Sequence, residues 1–447
     1  MENKEKNTEK TAKNQQDTAK LTDKKGKVNK IKRIIALVLC FAITFAGGYF
    51  SKYVFDSKEE NKTRDLVHII EKFGYVLDEN GNPRELNETD YAKALANGIL
   101  DQYSTYYTKE EYDKRISEST GNRTGFGVAI YGREDSEPIF VRVIGNSPAE
   151  KSGAKAGDKV LSATIEGEPK VDFTNSKELS DFLANCPSDK KVTFNILRGT
   201  ENLTIEIQKA FYKASYVAYY DSERKMMIDV SKEGLPYREN AEEKMALPND
   251  TALISLSEFE GDVASQLTAT LSYMEQKGRT KLILDLRDNG GGFMSTLCKV
   301  AEQLIYNGGN KTLIAYAFGK ADNESFYIKS NKNNSFITEI ALLANEGTAS
   351  ASECLIGAMA HYGERFSLDN LVVEKNDDGV AKTYGKGIMQ TTYVFLDGSA
   401  IKLTTARIFW PDKTTCIHSK GILPTMTENA TEKGQSAIDR AITILQN

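Results

Sequence analysis

The stretch Lys281-Leu282-Ile283-Leu284-Asp285-Leu286-Arg287-Asp288-Asn289-Gly290-Gly291-Gly292 decides how the rest of the chain is read. Its first half is a short apolar run, the pattern of a strand buried on both faces. Asp285-Leu286-Arg287 ends that strand, and Asn289 to Gly292 makes a glycine loop. Thr251-Ala252-Leu253-Ile254-Ser255-Leu256 is a second run of the same kind. Val263 to Gln276 and Ser350 to Tyr362 suit helices. Strands alternating with helices over 211–447 predict an α/β region.

Two segments downstream carry chemistry. Ser350 sits in Thr348-Ala349-Ser350-Ala351-Ser352-Glu353, after a turn and ahead of the apolar helix Cys354–Met359. A nucleophile at a helix N-terminus lies at the positive end of the dipole, which favours a developing oxyanion. Lys386 sits in Thr383-Tyr384-Gly385-Lys386-Gly387, with Gln390 four residues after the lysine. A serine hydroxyl attacks only when a base takes its proton. A lysine is that base if burial disfavours its ammonium form. Ser–Lys pairs are a known variant of the catalytic triad. The glycines flanking Lys386 let the backbone approach closely and draw the side chain into a tight site.

These segments, with Lys420-Gly421-Ile422-Leu423-Pro424, resemble the C-terminal processing peptidases, or tail-specific proteases, over roughly 65–440. The resemblance implies an α/β fold: a crotonase-like, or Clp-protease-like, catalytic core with an inserted PDZ domain; the sequence pattern adds a helical N-terminal segment and one transmembrane helix. It implies Ser350 as nucleophile, Lys386 as base and Gln390 as the neutral residue orienting the lysine. A carboxylate in Gln390's place would favour the ammonium and spoil the base. The oxyanion hole would be the N–H groups of Ala351 and Gly291, and Ser352 would cap the helix. Two features depart from the family. Ser350 and Lys386 are 36 residues apart, about ten more than the family shows, an excess a loop accepts. It falls in Ser367–Ala381, where an added hairpin is expected. Thr425 stands where the family commonly has Asp.

Ahead of the core, the resemblance places a PDZ domain at 119–210. Gly125-Phe126-Gly127-Val128 would be its carboxylate loop, since converging N–H groups capture a peptide's C-terminus. Phe126 and Val128 are expected to line an apolar pocket there. Ile139 to Ile144 reads as a strand, and Ser147-Pro148-Ala149-Glu150-Lys151-Ser152-Gly153 and Ala156-Gly157-Asp158-Lys159-Val160-Leu161 match the family's turn and strand. Leu179, Phe182 and Leu183 give a short helix whose apolar face would wall the groove. Arg198, at the end of this domain, is a candidate for coupling it to the core. Residues 63–116 read as helical, from Leu66, Ile69 and Ile70 and then Tyr91, Leu95 and Ile99. Thr108 with Glu111 reads as a capping box.

Ile34 to Phe50 is apolar, and no residue from Ile34 to Ser51 is charged. That run is close to the ~20 residues a spanning helix needs. Residues 1–33 hold eleven Lys/Arg against five Asp/Glu. The positive-inside rule then predicts a disordered basic cytoplasmic tail (1–33), an anchor (34–52) and an exported remainder in a cell membrane. A cleaved signal peptide, with small residues at Ala46-Gly47-Gly48, is the rival reading.

The net charge of −5 implies no broad basic surface, so nucleic acid is not expected as a partner. Cys40, Cys186, Cys298, Cys354 and Cys416 are scattered, which points to free thiols. His68, His361 and His418 form no ligand spacing, so neither a metal nor a cofactor is expected. Of the three, His361 lies in the predicted helix after Ser350 and is the one expected to approach it. The resemblance implies a membrane-anchored serine endopeptidase acting on exported proteins or peptides with free C-termini. Two alternatives stand beside it: a catalytically inactive PDZ adaptor binding tails, and an acyl-CoA enzyme on the crotonase-like fold. Intact Ser350, Lys386 and Gln390 argue against the first, and export argues against the second. Whether the chain forms a homo-oligomer is left open.

Overall fold

The computed structural model describes residues 61–446, except 75, 77–81, 131–135, 224–225, 231–235, 243–245, 330–335, 377 and 433. The basic tail, the apolar run 34–50 and Cys40 lie outside these residues. Among the described residues no helix is long and apolar enough to cross a membrane. The chain divides into two units, Met1–Tyr91 and Ala92–Asn447. The first holds the helix Asn61–Phe73, whose Leu66, Ile69 and Phe73 are exposed.

The second unit is mixed α/β. An eight-stranded sheet runs in the order 236–242, 226–230, 217–221, 251–256, 281–285, 339–344, 371–374, 430–431. From 251–256 onward its neighbours are parallel. Leu282 and Leu284 point into one core with the helices Val263–Gln276, Met294–Leu304 and Ala351–Tyr362. Ile283 points the other way, against Ala437, Ile438, Ala441 and Leu445 of the C-terminal helix. Both faces are covered, which is why these strands are apolar without alternation.

A second sheet packs strands 311–319, 323–329, 388–394 and 400–409 with a short strand, Thr105–Tyr107. The sequence reading placed 105–107 inside a helical region, and here the structure differs. The flanking helices are Glu88–Ile99 and Lys109–Ser119. Thr105, Tyr106 and Tyr107 pair antiparallel with Lys402, Ile401 and Ala400. That partner lies some three hundred residues away, and no local pattern reports it. The helix after it opens with a capping box: Glu111 N–H donates to Thr108 Oγ1 (3.2 Å) and Thr108 N–H to Glu111 Oε2 (2.8 Å).

A small β-rich domain is inserted between Ser119 and Ser215. It hangs on a two-stranded stalk, Asn122–Gly125 paired with Ala210–Lys213, so its entry and exit strands lie side by side. Its four-stranded sheet runs 170–172, 159–165, 191–198, 201–208, with a helix at Ser176–Asn185. Phe140, Val160, Leu179 and Phe194 fill its own core. The excess chain between Ser350 and Lys386 is only partly a hairpin. Leu371–Glu374 is a strand of the main sheet, and Lys375 then bridges Ala381 across a tight turn at Asn376–Gly379. Thr425 Oγ1 donates to Leu368 O (3.0 Å) and Asp369 Oδ1 (2.7 Å), which ties down the short turn before that strand.

Candidate active site

Ser350 is the residue before the helix Ala351–Tyr362. Its φ of 58° is unusual for a residue with a Cβ. Such backbone costs about 1–3 kcal/mol and persists only where its surroundings over-determine it. Those surroundings are visible. Ser350 N–H donates to Glu353 Oε2 (2.9 Å), and Cys354 N–H donates to Ser350 O (3.0 Å). Gly363, left-handed with φ 63°, ends the helix.

Glu353 is fully buried and is the residue that sequence reasoning missed. It also accepts from Thr383 Oγ1 (2.5 Å), Gly385 N–H (2.8 Å) and Lys386 N–H (2.9 Å). One carboxylate thus binds the backbone of both Ser350 and Lys386. Burial pushes its carboxyl above the ordinary range, against the pull of these donors. Glu353 was visible in the sequence only as a capping-box letter three residues after Ser350. Tyr384 N–H donates to Thr348 O (3.0 Å), a second tie between the two segments.

The glycines around Lys386 have a packing reason. A Cβ on Gly385 would lie 2.7 Å from Gly421 N, and one on Gly421 would lie 2.2 Å from Thr383 O. Both have positive φ. The Lys420–Pro424 segment is therefore the floor on which the lysine loop lies. Lys386 Nζ stands 5.0 Å from the centre of the Tyr103 ring. Tyr103 OH is 3.3 Å from Tyr384 OH. Burial lowers the Lys386 pKa, the Lys402 charge lowers it further, and Asp101 opposes them.

Ser350, Lys386, Gln390 and Gly291 all line one cavity of about 1650 Å³, together with Ala129 and Ile139 of the inserted domain. Among the described residues no hydrogen bond joins Lys386 Nζ to Ser350 Oγ. Catalytic hydrogen bonds of ligand-free sites are often loose and tighten with substrate. Gln390 is not seen orienting the amine, because its Nε2 donates to Thr404 Oγ1 (3.3 Å).

The loop after Asp285 is held from several sides. Arg287 donates to Asp285 (2.6 Å) and to Glu374 (2.6 Å). Asn289 is fully buried and donates to Leu256 O (2.8 Å). At Gly291 the expected oxyanion donor is engaged within the loop. Its N–H donates to Asn289 Oδ1 (3.0 Å), a partner already inside the protein. A Cβ at Gly291 would lie 2.8 Å from Ser350 Cβ and 2.9 Å from Ala351 N, so only glycine allows this approach. Ala351, buried, takes the first position of the helix, where an N–H has no partner within the helix. Ser352 does not cap. It lies inside the helix, fully buried, and its Oγ donates to Asn289 O (2.9 Å).

The histidine reading also changes. His361 is exposed near the helix end, while His418 packs against the lysine loop: a Cβ on Gly387 would lie 2.7 Å from His418 N. Neither histidine lines the cavity. In the inserted domain, Gly125 ends the stalk strand and Val128 starts the next strand. A Cβ on Gly127 would lie 2.0 Å from Ser147 Cβ, which with φ 85° makes glycine obligatory. Phe126 turns inward instead. It is buried in that domain's core, edge-on to Phe194 at 5.7 Å. Cys186, Cys298, Cys354 and Cys416 are free thiols.

Residues 250–427, which contain every one of these core side chains except those of the 101–104 segment, match the model of peptidase family S41. The chain is 27% identical over 382 residues to a probable CtpA-like serine protease of Staphylococcus aureus (strain MRSA252), covering 83% of this chain and 65% of that protein. It is 26% identical over 396 residues to a probable CtpA-like serine protease of Staphylococcus saprophyticus, covering 88% and 70%. It thus spans 65% of the length of the first of these curated relatives. A solved photosystem II D1 C-terminal processing protease is 20% identical, with a TM-score of 0.46 over 80% of this chain and 85% of that one. Over residues 250–427 the chain is thus similar to peptidase family S41.

Proposed function

We propose that this chain is a serine endopeptidase that cuts exported proteins near their C-termini. Lys386, as the neutral amine, takes the Ser350 proton while Oγ attacks the scissile carbonyl. The tetrahedral oxyanion is met by Ala351 N–H and by Gly291 N–H once the latter leaves Asn289. The lysine then gives its proton to the leaving amine, and water resolves the acyl-enzyme by the same path. Gln390 is proposed to engage the lysine when substrate fills the cavity. The core is read as crotonase-like, and the inserted domain as a PDZ domain whose 125–128 backbone captures a free carboxylate. The segment 34–52 is read as a membrane anchor, with the catalytic unit outside the cytoplasm.

The observation that carries this reading is the shared carboxylate of Glu353. It binds the amides of Ser350 and Lys386 at 2.9 Å each, so hydroxyl and amine are presented by one rigid joint. The test incubates unfolded casein, and one tail peptide in acid and amide forms, with wild type and Ser350→Ala. Cleavage lost in the variant, and a preference for the free acid, are expected. Cleavage that survives Ser350→Ala would exclude the nucleophile. Loss of all cleavage in wild type with tails still bound would favour the adaptor. Equal use of acid and amide would exclude carboxylate capture.

A further inference from the structure

Arg198 is spent inside the inserted domain. Its Nε and Nη2 donate to the buried Asp158 at 2.7 and 2.8 Å, and Nη2 also reaches Gly153 O at 2.8 Å. A different arginine stands where that domain meets the core. Arg123 lies on the stalk strand Asn122–Gly125. Its Nη2 is 2.7 Å from Glu258 Oε2 and 3.6 Å from Glu260 Oε2. Arg115, on the helix before the stalk, donates to Glu260 at 2.5 and 3.3 Å. The Arg123 and Glu260 side chains are only 18% and 8% exposed, so these charges are poorly screened.

Phe259, fully buried, lies between the two glutamates. Its N–H donates to Gly291 O (2.8 Å), and its carbonyl accepts from Phe293 N–H (3.0 Å). A Cβ on Gly292 would lie 2.4 Å from Phe259 O, so the glycine loop rests directly on this backbone. At the foot of the stalk, Gly261 N–H donates to Ser119 O (3.0 Å) and Ala214 N–H to Gly121 O (2.9 Å). Residues 258–261 therefore face the stalk on one side and the Gly291 loop on the other.

We propose that Arg123 is a positioning residue that couples the stalk of the inserted domain to the Gly291 loop, through Glu258, Glu260 and the Phe259 backbone between them. This rests on the peptidase reading of the site. Arg123, Glu258 and Glu260 line the same cavity as Ser350 and Lys386, and Arg123 acts through the Phe259 backbone rather than on the reacting atoms. Its loss takes the Arg123 guanidinium from Glu258 and leaves Glu260 to Arg115, and a largely buried carboxylate that loses a cation moves or protonates. The Phe259 backbone moves with it, and the Gly291 peptide loses its fixed support. A misplacement of that size degrades the transition state more than substrate binding, so the effect falls on kcat.

The experiment compares full-length wild type, Arg123→Gln and Arg123→Lys, with Ser350→Ala as the zero-activity control. It measures kcat and KM on a peptide with a free C-terminus, and hydrogen exchange at the Phe259 and Phe293 amides. Arg123→Gln should lower kcat by about 10- to 100-fold with KM changed by less than about twofold. Exchange at both amides should quicken by about tenfold or more. Arg123→Lys, with charge but no fork, should fall between the two in both readouts. Should Arg123→Gln not fold, the lysine variant decides alone: intermediate values support the coupling, and wild-type values overturn it. Unchanged exchange at Phe259 and Phe293, or a loss confined to KM, also overturns it. Failure of the peptidase reading looks different, because cleavage would then persist in Ser350→Ala while the exchange data still judge Arg123.

Discussion

At the scale of single residues, Lys386 is pulled in opposite directions. Burial and Lys402 disfavour its ammonium form, and Asp101 favours it. In the proposed mechanism the neutral amine is the base, so the rate should rise with pH through a midpoint below the ordinary lysine value of ~10.4. Lys402→Gln removes a like charge and should move that midpoint up. Asp101→Asn removes the opposing charge and should move it down. The pH dependence of kcat/KM reads both, and shifts of the reverse sign would remove Lys386 as the titrating base. Ser350 and Lys386 were singled out by the resemblance of their segments to the peptidase motifs, and the fold brings both to one cavity. The partners of Gln390 and Gly291 were not legible in the sequence. Each side chain or amide chose among several donors and acceptors that come together only in the folded loop, Thr404 for Gln390 and Asn289 for Gly291.

At the scale of elements, the start of the 351–362 helix and the 383–387 loop form one joint around Glu353. Removing a buried charge that holds so many donors leaves those donors unmet, a loss of about 3–5 kcal/mol. Glu353→Gln keeps the size but presents an NH2 group where only acceptors fit. Thermal unfolding should therefore move well below wild type, and residual folded protein should hydrolyse peptide far more slowly. A variant with wild-type melting and rate would show that the joint does nothing. The apolar strands 251–256 and 281–285 could be read directly, since burial on both faces leaves a continuous run. The strand Thr105–Tyr107 could not, because only pairing with residues 400–402 makes it a strand. The excess between Ser350 and Lys386 was half legible: the turn at Asn376–Gly379 shows in its composition, whereas Leu371–Glu374 proved to be core strand.

At the scale of the whole molecule, the charge asymmetry around 34–52 sets the expected placement. Protease added to spheroplasts should digest the chain beyond about residue 52 and spare the basic tail. A soluble form beginning near Tyr49 would instead mean a cleaved leader. The central claim, that Ser350 is a nucleophile activated by Lys386, has a more direct measurement. The intact protein is treated with a fluorophosphonate, and the modified residue is located by peptide mass spectrometry in wild type and in Lys386→Arg. Guanidinium stays charged and cannot accept the serine proton. We expect one label, on Ser350, in wild type and almost none in the folded Lys386→Arg protein. A label on Ser352, or equal labelling of Ser350 in both proteins, would contradict the mechanism.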